Sequence, residues 1–419
     1  MTNQGDLIIS NTRIVTPTGT KAACGGKMND LTIIDNAVIV ITAGRIIYAG
    51  PADDIDLQQP SLSSHSRFNA GGGVSLPGFV DSHTHLVFGG FRPDEFEWRL
   101  KGESYMSIME RGGGIQSTVN ATRNEQSESL LKKAEWFLDR MIEMGVTTVE
   151  AKSGYGLDFE SEQKMLQVIK QLQNDENRKL DIVSTFLGAH AVSDKFKGRT
   201  SDYVDYIINT MLPAFKDLAE NCDIFCEKNV FEIEDSRRLL LAARKLGYKI
   251  KLHADEIVTL GGAELAAELG ALSADHLLHV STEGIKKMAE AGVVATLLPL
   301  TAFALREPYA PARKFIEAGC AVALATDLNP GSCFSGSIPL TIALACIYMG
   351  MSIEETITAL TLNGAAAIGQ AESKGSLETG KFGDVVILAS DNYHVLPYYV
   401  GMNCVKTTIH HGRIVAQNP

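Results

Sequence analysis

The sequence predicts an α/β fold: a (β/α)8 TIM-like barrel with a small composite β-sandwich domain built from both termini. Three observations predict it. Eight apolar, strand-like runs alternate with helical patterns between about residues 77 and 370. Both ends of the chain consist of short β-type runs separated by turn residues. Polar, chemistry-bearing residues stand at the ends of the central runs, where barrels carry their active sites.

The ends come first. DLIISNTRIVT and LTIIDNAVIVITAGRIIYAG open the chain, with Ala43-Gly44-Arg45 as a turn between strands. GKFGDVVIL and CVKTTIHHGRIVA close it, and His411-Gly412-Arg413 repeats the turn pattern. Two β-rich ends around a different middle predict one small β domain, residues 1–76 together with 371–419. The barrel then occupies 77–370. Its eight runs are LPGFVDSHTHL, VTTVEAKSGYG, KLDIVSTFLGAH, CDIFCEKNVF, YKIKLHADE, ALSADHLLHV, VVATLLPLTAF and AVALATDLNP. Between them, SLLKKAEWFLDRMIEMG sets Leu130, Leu131, Ala134, Phe137, Leu138 and Met141 at helical spacing. SRRLLLAARKLG and GGAELAAELG behave likewise, each closed by a glycine. The chain shows no internal repeat.

Composition narrows the function. Of 419 residues, 45% are apolar and 21% charged, the balance of a globular protein with a large core. A formal net charge of −12 argues against nucleic acid as a partner. The start, MTNQGDLIIS, lacks the pattern of a signal peptide, and no apolar run is long enough to span a bilayer, so a membrane is not expected as a partner. The seven cysteines are scattered and odd in number, which reads as reduced thiols in a cytoplasmic protein. Cys222 and Cys226, beside Ile224 and Phe225, read as core residues.

The strand ends carry the chemistry. The first central run ends in His83-Thr-His85, two residues that share one face of a strand. The second ends in Glu150-Ala-Lys152-Ser-Gly-Tyr155, the third in His190, the fourth in Glu227-Lys228. The fifth ends in His253-Ala-Asp255-Glu256, the sixth in Asp275-His276, and the eighth in Asp327-Leu-Asn329-Pro-Gly331-Ser332. Any one of these histidines alone would read as a core or loop residue. Five of the ten histidines closing apolar strands point to a metal-centred site. A hydrolytic zinc-type site needs about three or four N/O ligands and an open position for water. His83, His85, His253 and Asp327 supply three imidazoles and one carboxylate. His276, Asp327 and Glu256 are the candidates for moving protons.

At these residues the chain resembles the amidohydrolase superfamily, metal-dependent hydrolases on a (β/α)8 barrel. PGFVDSHTHL, KLHADE, SADH and LATDLNPG follow in that order. GGFRPDEFEWRLKGESYMSIMERGGGIQSTVNATR, EAKSGYGL, TFLGAHAV and ATDLNPGS are more selective. They resemble the branch that hydrolyses a ring carbon–nitrogen bond of 4-imidazolone-5-propanoate to N-formimidoyl-L-glutamate in histidine degradation. The resemblance implies one divalent or trivalent metal ion, zinc or iron, on His83, His85, His253 and Asp327. It implies contacts to a small-molecule substrate from Arg92, Tyr155, His190, Glu256, Asn329, Gly331 and Ser332, and a homodimer.

The chemistry fits that substrate. A guanidinium such as Arg92 can grip a propanoate carboxylate, and Tyr155 can hydrogen-bond it. The turn after Asp327 could offer backbone N–H groups to an anion. His276 with Asp327 is expected to take the proton of the attacking water, His190 or the metal to steady the oxyanion, and Glu256 to protonate the leaving nitrogen. Lysines at 228 and 152 leave open a carboxylated lysine bridging a second metal. The rivals are another cyclic-amide hydrolase or a nucleobase deaminase of the same superfamily, and a metal-free scaffold. The scaffold would lack ligands, whereas all four positions are filled.

Overall fold

A computed structural model of the chain describes residues 5–103, 111, 113–175, 177 and 179–419. Residues 104–110 and 112 of the long GGFRPDEF run lie outside the described residues. The N-terminal part forms β1 (Leu7–Thr16), β2 (Thr32–Thr42), β3 (Arg45–Pro51), β4 (Ser66–Asn69) and β5 (Val74–Pro77). Eight strands follow: β6 (Phe79–Asp81), β7 (Val146–Lys152), β8 (Asp181–Ala189), β9 (Asn221–Cys226), β10 (Lys249–Ala254), β11 (Ser273–His276), β12 (Val294–Leu297) and β13 (Val322–Leu324). The chain ends in β14 (Val385–Leu388), β15 (Val405–His410) and β16 (Arg413–Gln417).

β6 to β13 pair in sequence order, all parallel, and each of the eight predicted runs contributes one strand. Helices cover their outer faces, so both faces are buried and the strands read as near-continuous apolar runs. The helix Ser127–Glu143 buries Leu130, Ala134, Leu138 and Met141 of the expected stripe, together with Ile142, while Leu131 and Phe137 at its margin are half-buried. The helices Ile233–Lys245 and Gly262–Leu269 are followed by Gly247 and Gly270, both at positive φ, which releases the chain toward the next strand.

The barrel closes at its chemical end. Just beyond β6 and β13, Thr84 and Leu328 form a parallel bridge. Asp327 N donates to His83 O at 3.0 Å, and His85 N to Leu328 O at 2.9 Å. Asp81, at the end of β6, accepts from Thr326 N (3.0 Å) and Thr326 Oγ1 (2.6 Å). The first and eighth strands are therefore stitched together beside the residues expected to bind metal.

The second sheet draws on both ends of the chain, in the order β16-β15-β14-β5-β1-β2-β3, with β4 beside β1. Most of its pairs are antiparallel. Its two halves share one apolar core, in which Ile9, Ile39 and Ile41 meet Val385, Ile387 and Ile409. Only Gly78 separates β5 from β6, and a Cβ there would lie 2.1 Å from Thr147 Oγ1. Cys222 and Cys226 are buried core residues, as read from sequence. Among the described residues, no helix is long and apolar enough to cross a membrane.

Candidate metal centre

The barrel's interior explains how the site is held. In β7, Glu150 and Lys152 share the inward face; in β10, Lys251 and His253 do. Lys152 Nζ lies 2.8 Å from Glu150 Oε2 and 2.7 Å from Asp223 Oδ2. Lys251 Nζ lies 3.4 Å from Asp275 Oδ2 and 3.5 Å from Glu150 Oε1. All five side chains are fully buried. Burial opposes the Lys152 charge, but Asp223, Glu150 and Asp275 outweigh it and raise its pKa well above the usual value.

Two of these carboxylates face the imidazoles. Asp275 Oδ2 is 2.6 Å from His83 Nδ1, and Asp223 Oδ2 is 3.1 Å from His253 Nδ1. His83 hydrogen-bonds its carboxylate through Nδ1 and presents its Nε2 lone pair to the opposite side, whereas His253 Nδ1 stands beside Asp223 without a hydrogen bond and its Nε2 faces His85. There the ligand-type atoms converge. His83 Nε2 lies 3.4 Å from Asp327 Oδ1, His85 Nε2 lies 3.6 Å from the same oxygen, and His253 Nε2 lies 3.4 Å from His85 Nε2. Thr301 Oγ1 donates to Asp327 Oδ2 at 2.6 Å and leaves Oδ1 without a partner. His83 Nε2 is likewise buried and unpartnered. His83, His85 and Asp327 bring ligand atoms within 4.8 Å of one another, two of them orphaned in a dry interior, and fit a cation; His253 falls into the adjoining groups, with His85 and His190 and with His83 and His276. Burial, with the neighbouring Lys152 and the other imidazoles, holds His83 well below its usual pKa; burial first, then His190 and His253, does the same for His85. Neutral imidazole is the form that ligates.

The remaining predicted residues surround this point. His276, in the left-handed region at φ +76°, places Nδ1 3.5 Å from Glu256 Oε1. Burial and the facing Asp327 carboxylate push Glu256 up to about 8. The His190 ring stacks on His85 at 4.8 Å, and Tyr155 lies 5.2 Å from His190 and 5.7 Å from His85. Arg92 gives Nη1 to Glu95 at 3.2 Å, while its buried Nε has no partner. A Cβ at Gly331 would stand 2.0 Å from Arg92 Nη2, so glycine is what lets the guanidinium lie against this turn.

Three expectations change. The amides of Gly331 and Ser332 are not free for an anion: they donate to Asn329 Oδ1 at 2.8 and 2.7 Å. His190 does not fit the oxyanion role. Its Nδ1 is 3.1 Å from Gly154 O, an acceptor only, so that nitrogen carries the proton and Nε2 offers a lone pair. Burial, with His253 beside it, lowers His190 to about 3, which keeps the ring neutral. A carboxylated lysine is disfavoured as well. Lys152 is an ammonium among three carboxylates, where an added anion has no counter-charge, and Lys228 is exposed.

Sequence reading missed Asp81, Asp223, Lys251 and Thr301, and named Asp275 without a role. For Asp81, Asp223 and Lys251 the available signal was a charged residue inside an apolar strand, two positions from a histidine or opposite one. That is costly burial unless something compensates it. Thr301, uncharged and in the helix Pro299–Leu305, gave no such signal.

The amidohydrolase family profile matches residues 101–416. An imidazolonepropionase of Bacteroides thetaiotaomicron is 64% identical over 415 residues, 99% of each chain. One of Clostridium tetani is 55% identical over 415 residues, 98% of each chain. Among solved structures, 5-methylcytosine deaminase of Klebsiella pneumoniae superposes with a TM-score of 0.74 at 16% identity, covering 98% of each chain. A zinc-bound adenosine deaminase of Xanthomonas campestris gives 0.67 at 16% identity, covering 98% of this chain and 92% of its own. These structures share the fold. By sequence, over nearly its whole length, the chain belongs to the imidazolonepropionases of the amidohydrolase superfamily.

Proposed function

We propose that the protein hydrolyses the ring amide carbon–nitrogen bond of 4-imidazolone-5-propanoate, adding one water to give N-formimidoyl-L-glutamate in histidine degradation. The observation that carries this reading is full-length identity of 64% to an imidazolonepropionase, in a chain that lays the Arg92 guanidinium against the turn following Asp327. His83, His85, His253 and Asp327 would hold one metal ion, zinc or iron, which supplies acidified water near neutral pH and polarises the scissile carbonyl.

The side chains divide the rest of the work. Arg92 and Tyr155 grip the propanoate and orient the ring. His190 accepts a ring N–H through Nε2. His276, with Asp327, receives the proton of the attacking water. Glu256, kept protonated, gives its proton to the departing nitrogen. Gly331 makes room for the Arg92 guanidinium, and the Asn329 side chain, with Ser332, holds the turn in which Gly331 lies. On this reading the protein is a cytoplasmic homodimer with a small β domain of residues 1–76 and 371–419 and a barrel of 77–370. The net charge of −12 speaks against nucleic acid as a partner.

The test is turnover of freshly generated imidazolone propanoate, followed by loss of its ultraviolet absorbance, with metal content measured on the same sample. The expected result is formiminoglutamate as product, activity abolished by chelation and restored by zinc or iron. No turnover with about one metal per chain would move the substrate to another cyclic amide or a nucleobase. No turnover and no metal after reconstitution would leave a scaffold.

A further inference from the structure

We infer that Glu162 is the positioning residue for both Tyr155 and His190, a role that rests on the substrate reading above. Glu162 lies in the helix Phe159–Gln173 and is fully buried. Its Oε1 accepts from Gly156 N at 2.7 Å and Leu157 N at 3.0 Å, and its Oε2 from Gly154 N at 3.1 Å. The segment 153–157 wraps around this carboxylate, with Gly154 at φ +114° and Leu157 at φ +56°. Neighbouring N–H groups pointed inward form an anion-binding concavity, and here a side chain of the same protein fills it.

Both glycines of the SGYG motif serve that wrapping. A Cβ on Gly156 would stand 2.5 Å from Glu162 N, and one on Gly154 would stand 3.1 Å from His190 Nδ1. Tyr155 is the residue between the two anchored glycines. Gly154 donates its N–H, in the 153–154 peptide, to Glu162, and its carbonyl, in the 154–155 peptide, accepts from His190 Nδ1. One carboxylate therefore fixes the peptides on either side of the 154–155 unit, whose carbonyl sets the His190 tautomer and whose N–H belongs to Tyr155. Glu162 itself is not among the residues in contact with the ligand-type atoms.

Glu162→Gln tests this. An amide cannot accept from both sets of donors, because one carboxylate oxygen becomes an NH2 facing an N–H. The expected result is a fall of about 10- to 100-fold in kcat/KM, carried mainly by KM, since the groups displaced are those that orient substrate. Metal content should match the wild type. Hydrogen exchange by mass spectrometry should quicken in a peptide spanning residues 150–160 and stay slow elsewhere. Kinetics within about twofold of wild type would overturn the proposal. So would a loss of kcat at unchanged KM with exchange raised across the chain, the mark of a merely stabilising residue. If the wild type fails to turn over imidazolone propanoate, the substrate reading falls and the exchange measurement decides Glu162 alone: local acceleration supports it, no change overturns it. Should Glu162→Gln not fold, Glu162→Asp keeps the charge but is too short to reach Gly154 and Leu157 together, and the same readouts apply.

Discussion

Asp275 shows how far a single residue's role depends on its partners across the barrel. It bonds His83 Nδ1 at 2.6 Å and Ser273 Oγ at 2.6 Å, and faces Lys251 at 3.4 Å. Asp275→Asn should therefore weaken metal binding about 10- to 100-fold, measured by competition with a chelator of known affinity, while the fold survives. Unchanged affinity would mean that His83 needs no carboxylate behind it. Gly331→Ala addresses the other side of the pocket. Its methyl would overlap Arg92 Nη2, so KM for imidazolone propanoate should rise about tenfold or more at full metal content. An unaffected KM would remove Arg92 from carboxylate recognition. His83, His85, His253, His276 and Asp327 were legible in the sequence because a histidine or aspartate ending an apolar strand is conspicuous. Asp223 and Lys251 were not, because their meaning lies in a register between strands about 30 to 100 residues apart that only the closed barrel creates.

At the scale of elements, the alternation of apolar runs and amphipathic stretches predicted all eight barrel strands, because strands buried on both faces leave a continuous apolar signature. The runs are longer than the strands they contain. ALSADHLLHV yields only Ser273–His276, and AVALATDLNP only Val322–Leu324. The remainder turns away as loop, and His276, Leu277 and Asp327 take positive φ where it does so. Hydropathy does not reveal where a strand stops, and that boundary decides where the chemistry stands. Buried carboxylates hold these loops. Asp255 Oδ1 accepts from the backbone N–H groups of Leu260, Gly261 and Gly262, and its Oδ2 from Ala263 N. It thereby shapes the loop that carries Glu256 and caps the helix Gly262–Leu269. Asp255→Asn should lower stability by about 1.5–3 kcal/mol, read from the urea midpoint, because a charged acceptor loses donors it alone satisfies. Turnover should fall with it as Glu256 loses its support. A variant with wild-type midpoint and rate would show that the loop holds itself.

For the whole molecule, the question is what joins the terminal sheet to the barrel. Asp181 begins barrel strand β8, whereas Asp384, His410 and His411 belong to the sheet side. Lys374 Nζ sits 2.6 Å from both Asp181 Oδ2 and Asp384 Oδ2. His411 Nε2 approaches Asp181 at 3.0 Å and His410 Nε2 at 3.5 Å. Two aspartates and two histidines invite a metal, but the lysine ammonium already lies where a cation would sit. Burial tends to raise the Asp181 and Asp384 carboxyls, yet the close His410 and His411 rings, with Lys374, hold Asp181 far below the usual range; Lys374 first, then the same imidazoles, holds Asp384 low. Lys374→Met removes the buried cation between the buried Asp384 and the half-buried Asp181 and should cost about 3–5 kcal/mol of stability at neutral pH. The pH dependence has a definite sign. Depressed carboxyls stabilise the fold fully above their unfolded pKa, near 4, and lose that contribution as pH falls toward their native values, because the unfolded chain takes up protons first. The stability gap between wild type and Lys374→Met should therefore be widest near pH 7 and narrow from about pH 5 downward. Urea midpoints of both proteins, taken in chelator so that metal loss does not enter, would measure it. A gap that stayed constant into acid would mean that Lys374 contributes packing alone, and that the sheet is joined to the barrel by its apolar contacts and not by this ion pair.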